Sequence, residues 1–173
     1  MPVSIREATG EDWDAIDKVL SEAFGRRDEA ALVAALSNGG HVVLALVAQS
    51  GCGKIAGAVV FSRVQVERDT GTAGPIRATA LAPVAVRPDR QGRGIGSSLI
   101  EAGIARLQAA DEALCVVLGE PAYYRRFGFD ARLAAGFTCA YSGPYLMARW
   151  LAAPVTAMPA GRLVYPEPFE SLA

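Results

Sequence analysis

Apolar residues recur along this chain with two different periods, one typical of helices and the other of strands. Spacings of three and four residues give a helix one buried face, and they occur in three stretches. The inward residues of the first two stretches are Trp13, Ile16, Leu20 and Phe24, and then Leu32, Ala35 and Leu36. The third stretch, expected from Gly92 to about Ala109, has Ile100, Ile104 and Leu107. We expect three helices with these residues in the core.

Short runs rich in valine predict the strands between these helices. Residues 41–48 and 54–67 are joined by the segment S-G-C-G, which indicates an antiparallel hairpin. Residues 78–87 and 113–118 enclose the third helix, and a strand, a helix and a strand in that order imply a right-handed parallel crossover. The remaining predicted strands are 3–8, 137–141 and 145–151. The fold class is therefore α/β, with a sheet that begins antiparallel and contains one parallel pair.

The composition is that of one ordinary domain. The chain has 173 residues, of which 51% are hydrophobic, enough to bury a sizeable core. We expect a single domain over residues 1–173, with a core of about 3–150 and a C-terminal extension at 151–173. Tyr165 and Phe169 are expected to attach this extension to the body, and shaping a substrate cleft is their alternative role. The net charge of −1 favours neither nucleic acid nor a membrane surface.

Cysteine and histidine usage argues against a metal centre or a disulfide framework. Cys52, Cys115 and Cys139 lack metal-ligand spacing, and His41 is the only histidine. His41 stands where a loop meets a strand, so we interpret it as a strand-end residue rather than a general base. The N-terminus shows no basic segment followed by an apolar one, and no apolar run reaches transmembrane length. We therefore expect a cytoplasmic protein.

Residues 81–99 combine a valine-rich strand, a glycine loop and the start of a helix. The first N–H groups of a helix lack partners and attract anions, and glycines let a phosphate approach the backbone. A Walker A loop needs a lysine after its last glycine, where Ser97 and Ser98 stand here. A dinucleotide-binding loop needs G-x-G-x-x-G, and its third glycine is missing in either register. A nicotinamide or flavin enzyme and a glycine-rich turn without a ligand stay open as alternatives.

A third kind of loop matches without adjustment. Residues 86–96, V-R-P-D-R-Q-G-R-G-I-G, resemble the acyl-CoA signature Q/R-x-x-G-x-G/A of the GCN5-related N-acetyltransferases, the GNAT family. The resemblance implies a mixed, mostly antiparallel central sheet with a parallel, splayed central strand pair and helices on both faces. It implies acetyl-CoA as the acyl donor and no metal. It also implies that the pyrophosphate is held by the backbone of Gln91, Gly92, Arg93, Gly94, Ile95, Gly96 and Ser97.

Pro83 lies inside the strand 78–87, where it removes a backbone donor and ordinarily argues against a buried strand. In the resembled family this strand carries a bulge and diverges from its parallel neighbour, which opens a V-shaped slot for the pantetheine arm. A bulge at Pro83 leaves the backbone of Val84, Ala85 and Val86 to pair with that arm. The resemblance implies that the Val84 amide faces the thioester carbonyl oxygen, so Val84 is a predicted catalytic residue.

A second block, G-E-P-A-Y-Y-R-R-F-G-F, covers residues 119–129. Its proline suits the start of a short helix and its second glycine suits the end, just beyond a strand's carboxyl end. The block resembles the Y-x-x-x-G-F segment of the family, closest to a bacterial branch of predicted acetyltransferases with mostly undefined acceptors. Tyr124 aligns with the tyrosine that gives its proton to the coenzyme A sulfur, and a buried aromatic with a satisfied hydroxyl is the alternative. An asparagine and an alanine common in the family are Val117 and Glu120 here.

The predicted activity is acyl transfer from acetyl-CoA to a primary amine of a small molecule or protein, by direct attack in a ternary complex. A glutamate found on the central strand of some members is Ala80 here, and Glu67, Glu120 or a water chain are the candidates for the general base. Four arginines could reach the cofactor phosphates or stay solvated: Arg90, Arg93, Arg125 and Arg126. The alternative function is a non-catalytic module that binds or senses acyl-CoA. Dimers are common in the resembled family, and only this analogy suggests a homodimer, because the sequence itself does not indicate the oligomeric state.

Overall fold

The computed structural model of the protein describes residues 2–69, 75–152 and 159–172. The strands, in chain order, are β1 Val3–Glu7, β2 Val42–Ser50, β3 Ile55–Arg68, β4 Ala78–Val86, β5 Leu114–Leu118, β6 Phe137–Thr138, β7 Leu146–Trp150 and β8 Gly161–Val164. The helices are α1 Trp13–Phe24, α2 Asp28–Asn38, α3 Ile95–Ala109, α4 Pro121–Tyr124 and α5 Ala131–Ala134. Four 3-10 segments cover Gly10–Asp12, Pro88–Arg90, Arg125–Phe127 and Glu167–Leu172.

Six of the strands lie side by side in the order β1, β2, β3, β4, β5 and β7. Each neighbouring pair is antiparallel except β4 and β5, which are parallel and enclose α3. Residues 65–68 at the end of β3 pair instead with β8, which also pairs parallel with the short β6. The sheet is thus mixed and mostly antiparallel with one parallel central pair, which confirms the predicted fold class.

Helices cover both faces of this sheet. The predicted stripe of α3 lies against Phe61 on one face, and Ile100, Ile104 and Leu107 are each at most 3% exposed. On the other face, Ile16 and Leu20 of α1 pack with valines of β2 and β3. Each such side chain contributes about 1.5–3 kcal/mol when fully buried, so the two apolar stripes hold α1 and α3 on opposite faces.

The prediction that helix residues face the core is wrong at two positions. Phe24 is 41% exposed at the end of α1, and Ala35 is exposed on α2 while Val33 is buried instead. The start of α3 also differs, because Gly92 and Gly94 adopt left-handed φ angles and the helix begins at Ile95. A left-handed residue cannot continue a right-handed helix, so the loop extends further than the apolar period indicated.

The C-terminal part of the sheet differs from the prediction as well. The strand expected at residues 137–141 ends at Thr138, because the chain then turns through residues 139–144. Residues 161–164 form β8, although proline-rich surroundings suggested an irregular tail. The loop predicted at 68–77 begins later than expected, because β3 includes Arg68. Residues 70–74 of this loop lie outside the described ranges.

No helix in the described ranges is long and apolar enough to cross a membrane. Within the same ranges, histidine, cysteine, aspartate and glutamate form no group that could hold a metal ion. The three cysteines are free thiols. His41 directly precedes β2, where its carbonyl oxygen accepts a hydrogen bond from the Arg63 N–H at 2.8 Å.

Candidate active site

The parallel strands β4 and β5 pair over only part of their length. Their register begins at Ala78 opposite Leu114 and ends at Leu81 opposite Val117. Beyond Leu81, residues 82–86 of β4 have no partner on that side, and we call this stretch the open edge of β4. On its other side the register with β3 is irregular next to Pro83, as expected for a bulge there. The open edge is therefore a stretch of β4 inside the sheet that pairs with no described strand on the β5 side.

The backbone N–H of Val84 points into this gap. Antiparallel strands alternate between residues that hydrogen-bond to the partner strand and residues whose N–H and C=O point away from it. The Arg87 N–H donates to the Ala56 carbonyl oxygen at 2.8 Å, which fixes the phase of this alternation at the end of β4. Val84, which is opposite Val59, is three residues before Arg87 and therefore directs its N–H away from β3.

The neighbouring residues follow the same alternation. Val86 also points away from β3, and its carbonyl oxygen accepts a hydrogen bond from Nε2 of Gln91 at 3.0 Å. Ala85 directs its N–H and C=O toward β3, and its side chain is buried with the core beneath α1. Of the three residues predicted to pair with the cofactor, Val84 and Val86 thus direct their N–H groups away from β3, whereas the Val86 carbonyl oxygen is bonded to Gln91 and Ala85 faces β3.

The glycine loop leaves the start of α3 open. Gly92 and Gly94 have φ angles of +73° and +79°, and a Cβ at either position would contact no atom within 4 Å. No side chain caps α3, and its first backbone bond runs from the Ser98 N–H to the Gly94 carbonyl oxygen at 3.0 Å. The N–H groups of residues 95–97 are therefore available to an anion, with the positive end of the helix dipole behind them.

A cavity of about 370 Å³ lies over these N–H groups, and we call it the glycine-loop cavity. Arg126 lines it, donating from Nη2 to the Ser97 hydroxyl at 2.7 Å and lying 5.1 Å from the centre of the Tyr123 ring. The lining residues are Val86, Arg90, Gln91, Gly92, Gly94, Ile95, Gly96, Ser97, Tyr123 and Arg126. Seven backbone positions were predicted, and all but Arg93 line the cavity. Tyr123 was not predicted, although it adjoins Tyr124 in the same motif.

Tyr124 lies at the other end of the open edge. Its ring packs edge-on against Tyr123 and Phe129, with centres 5.0 and 6.1 Å apart. Burial is the main reason that the pKa of Tyr124 rises to about 12. Its hydroxyl makes no hydrogen bond with any described residue, so its proton is available to a ligand. The alternative interpretation of Tyr124, a buried aromatic whose hydroxyl has a hydrogen-bond partner, is therefore not supported by the described part of the chain.

Gly119 fixes the position of this tyrosine ring. A Cβ at Gly119 would lie 2.9 Å from Cδ2 of Tyr124 and closer still to Cε2, nearer than carbon atoms approach one another. Any other residue would therefore displace the ring. Sequence reasoning assigned no role to Gly119, although it is the first residue of the recognised block and a Cβ at its position would displace the Tyr124 ring.

A larger cavity of about 680 Å³ contains both Val84 and Tyr124 in its wall, and we call it the central cavity. Its other lining residues come from three places: β4 and β5, the α1–α2 corner, and the C-terminal segment. The corner contributes Phe24, Arg26, Asp28, Glu29 and Leu32, and the C-terminal half of the chain contributes Tyr141, Tyr165, Phe169 and Ser171. Phe24 and Leu118 are 41% and 49% exposed because they border this cavity.

The carboxylates proposed as general bases lie elsewhere. Glu67 is paired with Arg162 at 2.7 Å on the β3–β8 ribbon, and Glu120 is not among the described residues that line the central cavity. The cavity wall instead carries Asp28 and Glu29. Glu29 is 6% exposed, and the Arg26 guanidinium bonded to it lowers the pKa of its carboxyl. The α1–α2 corner was predicted only as a link between helices, so these residues were missed.

The fold, the open edge of β4 and the glycine loop together define an acyl-CoA type of site, and comparison with known proteins gives the family. Residues 4–132 match the acetyltransferase (GNAT) domain, which is most of the chain. The chain therefore belongs to the GNAT family, as its two motifs predicted.

Two Escherichia coli K12 proteins are similar in sequence. The uncharacterized N-acetyltransferase YhbS is 33% identical over 132 residues, 76% of each chain. The uncharacterized N-acetyltransferase YjhQ is 35% identical over 155 residues, which are 86% of this chain and 82% of YjhQ. Both alignments cover most of the two chains compared, so the similarity is not confined to the motifs.

Two crystal structures resemble this fold closely. E. coli YhbS in complex with CoA superposes with a TM-score of 0.89 and 30% identity, over 98% of this chain and 93% of YhbS. A GNAT family acetyltransferase from Brucella melitensis in complex with acetyl-CoA gives a TM-score of 0.77 and 31% identity, over 96% and 97% of the two chains. Since both alignments reach beyond residue 150, the C-terminal segment is part of the shared fold.

Proposed function

We propose that this protein is an acyl-CoA-dependent N-acyltransferase that moves acetyl from acetyl-CoA to a primary amine by direct attack in a ternary complex. One observation carries the proposal: Val84 and Tyr124 line the same central cavity at the open edge of β4, and neither the Val84 N–H nor the Tyr124 hydroxyl has a partner among the described residues. A hydrogen-bond donor and an acid at one cavity wall are the two groups that thioester cleavage requires.

The residues around the glycine loop fit a donor that carries a pyrophosphate. Backbone N–H groups of residues 95–97 and the Arg126 guanidinium supply positive charge to one cavity, and glycines leave room for phosphate oxygens. The open edge of β4 continues from Val86 to Val84, where peptide-like amides can pair with the strand. CoA in YhbS and acetyl-CoA in the Brucella protein support the same donor here.

The donor supplies an activated acetyl thioester, and the protein's own groups act on the charges that develop. The Val84 N–H donates a hydrogen bond to the carbonyl oxygen as it becomes negative. The amine nitrogen forms a bond to the carbonyl carbon, the carbon–sulfur bond breaks, and the Tyr124 hydroxyl gives its proton to the departing sulfur. The amine loses one proton to solvent, and solvent restores the proton of Tyr124.

The acceptor enters as a neutral amine or loses its proton to water in this scheme. Glu29 is held by Arg26, and its lowered pKa makes it a poor base, so it is not assigned that role. Activity should therefore rise with pH as the fraction of neutral amine rises. This dependence belongs to the acceptor and shifts when an amine of different pKa is used.

The test is release of free thiol from acetyl-CoA in the presence of a panel of primary amines. The proposal expects amine-dependent release, with an acetylated product detected by mass spectrometry, and a large loss in Tyr124→Phe. Binding of acetyl-CoA without release by any amine would favour the alternative, a module that binds or senses acyl-CoA. One observation favours that alternative: neither Glu67 nor Glu120, the two candidate general bases, is among the described residues that line the central cavity.

A further inference from the structure

The central cavity has two sides, and only one of them is available to the acceptor. The glycine-loop cavity and α3 lie on the same face of the sheet as Val84 and Val117. Ala80, Val116 and Ala82 belong to the opposite face, beneath α2 and the C-terminal segment. A donor that comes from the glycine loop therefore leaves the side beneath α2 for the amine.

The wall on that side is mostly apolar and aromatic. Tyr141, Tyr165 and Phe169 form an edge-on cluster with ring centres 5.0 and 5.2 Å apart. Tyr141 donates from its hydroxyl to the Phe169 carbonyl oxygen at 3.2 Å, whereas the Tyr165 hydroxyl makes no hydrogen bond with the described residues. Phe24 and Leu32 face the cluster from the α1–α2 corner as further lining residues. These rings and alkyl groups favour an apolar ligand surface.

The positive charge on this wall is already paired within the protein. Arg26 is the only lysine, arginine or histidine among the described residues that line the central cavity. Its guanidinium donates from Nε to both carboxylate oxygens of Glu29 at 3.0 and 3.1 Å, and it lies 3.8 Å from a carboxylate oxygen of Asp28. Two carboxylates thus face one cation, so a carboxylate or phosphate on the acceptor would meet no available positive charge.

We propose that the acceptor is a primary amine on an apolar, preferably aromatic, carbon skeleton that carries no carboxylate or phosphate. This inference rests on the proposed function and adds the class of its second substrate. The C-terminal aromatic cluster contacts the skeleton, and the acidic excess of the α1–α2 corner accommodates the positive charge of the amine before it is deprotonated. The Tyr165 hydroxyl, which has no hydrogen-bond partner among the described residues, can accept a hydrogen bond from the amine.

Three amines that differ by one feature each test this class. We expect kcat/KM for 2-phenylethylamine to exceed that for L-phenylalanine, which adds only a carboxylate, by roughly 10-fold or more, since an unpaired charge is costly to bury. A similar ratio is expected over ethanolamine, which replaces the ring with a hydroxyl. Equal values for 2-phenylethylamine and either of the other two amines would overturn the inference.

A variant changes the charge balance directly. Glu29→Gln removes one of the two carboxylates that neutralise Arg26, so the preference for 2-phenylethylamine over L-phenylalanine should fall by roughly 3-fold or more through gained activity on the amino acid. Asp17→Asn is the control, because it breaks a comparable pair between Arg27 and Asp17 outside the central cavity. An unchanged preference in a folded Glu29→Gln protein would contradict the charge argument, and Asp28→Asn gives the same test if that protein does not fold.

Donor binding is measured separately by the rise in melting temperature with acetyl-CoA. A rise without any acceleration of thiol release by 2-phenylethylamine would overturn the acceptor class and leave donor binding intact. Absence of the rise would overturn the proposed function itself, and the acceptor class with it.

Discussion

Tyr124 illustrates how the chemistry depends on single residues. The ring is held by Tyr123 and Phe129, and it occupies space that a Cβ at Gly119 would fill. These contacts use the carbon atoms of the ring and leave the hydroxyl without a partner in the described part of the chain. A fixed ring with a free proton is the arrangement that a general acid needs.

Replacing Tyr124 with phenylalanine should lower kcat about 10²-fold, the usual contribution of a positioned acid, with little change in the KM for acetyl-CoA. The ring contacts stay, so the melting temperature should change little. Steady-state kinetics of thiol release measures the effect. Tyr145→Phe is the control, because Tyr145 is 55% exposed and lines neither cavity. Equal activity in both variants would remove Tyr124 from the mechanism.

The raised pKa of Tyr124 predicts the alkaline side of the pH profile. Burial favours the neutral phenol and raises the pKa to about 12, so the acid stays protonated throughout the range in which amines lose their protons. We expect kcat to reach a plateau with rising pH and to show no fall between pH 8 and 10. A tyrosine of ordinary pKa, about 10, would lose half of its activity at pH 10. Such a fall, absent from Tyr124→Phe, would contradict the burial of this hydroxyl.

At the residue scale, the sequence predicts correctly those positions where the backbone geometry requires a particular residue type. Gly94 stands at a left-handed position and Pro83 beside a bulge, and both are visible in one sequence. Glu29 and Phe24 were not predicted to line a cavity. A carboxylate at a helix end and an aromatic residue in an apolar stripe have the same sequence pattern whether they face a core or a cavity. Only the tertiary structure brings the α1–α2 corner to the end of β4.

At the scale of elements, the least predictable part is the C-terminal segment. β8 has four residues and no alternating pattern long enough to identify, yet it pairs with β3 from Arg68 opposite Gly161 to Gln65 opposite Val164. This pairing carries Tyr165 and Phe169 to the central cavity, where Phe169 packs with Leu32 and Leu36 of α2. The packing of both rings against α2 is the predicted attachment, and both rings also line the central cavity, so shaping an acceptor cleft stays a prediction for them.

Gly161→Ala should detach this segment. A Cβ at Gly161 would meet the Glu67 carbonyl oxygen and lie 2.9 Å from the Arg68 Cα, so β8 cannot keep its pairing. We expect a loss of about 1–3 kcal/mol in the free energy of unfolding and faster hydrogen exchange at residues 161–164. The KM for the amine should rise while acetyl-CoA affinity stays, because the aromatic wall moves and the glycine loop does not.

Gly51→Ala is the matched control for this variant, since a Cβ there would contact nothing within 4 Å. An increase in amine KM equal to that of Gly161→Ala would mean that the effect does not come from β8. Unchanged hydrogen exchange in Gly161→Ala would mean that the pairing tolerates the added carbon.

At the scale of the whole molecule, Glu112 links β3 to the start of the parallel strand pair. Its side chain is fully buried between α3 and β5 and accepts hydrogen bonds from Arg63 of β3 at 2.7 and 2.8 Å and from Arg77 at 2.9 Å. These arginines lower the pKa of the Glu112 carboxyl against the opposing effect of its burial. These ion pairs thus connect β3 with the residues that precede β4 and β5, at the end of the parallel pair opposite to the open edge.

Glu112→Gln should lower the free energy of unfolding at neutral pH by about 1.5–3 kcal/mol, because two partly exposed arginines lose their charge-assisted hydrogen bonds to it. The folded pKa lies below the unfolded value of about 4.3, so this stabilisation is present above pH 4.3 and is lost as the pH falls through the folded pKa. The difference between wild type and variant should therefore shrink toward acid pH in denaturant titrations. Glu67→Gln, which breaks an exposed pair, serves as control, and an equal loss there would contradict the special place of Glu112.

The central claim is that acetyl-CoA binds across the glycine loop and the open edge of β4, and one calorimetric titration with acetyl-CoA tests it most directly. Wild type should bind, and Gly94→Glu should abolish binding by filling the phosphate position with a negative side chain. Gly40→Glu is the control, because Gly40 is likewise exposed, with a φ of +73° and no atom within 4 Å of a built Cβ. Binding that survives Gly94→Glu, or that is lost equally in Gly40→Glu, would contradict the account.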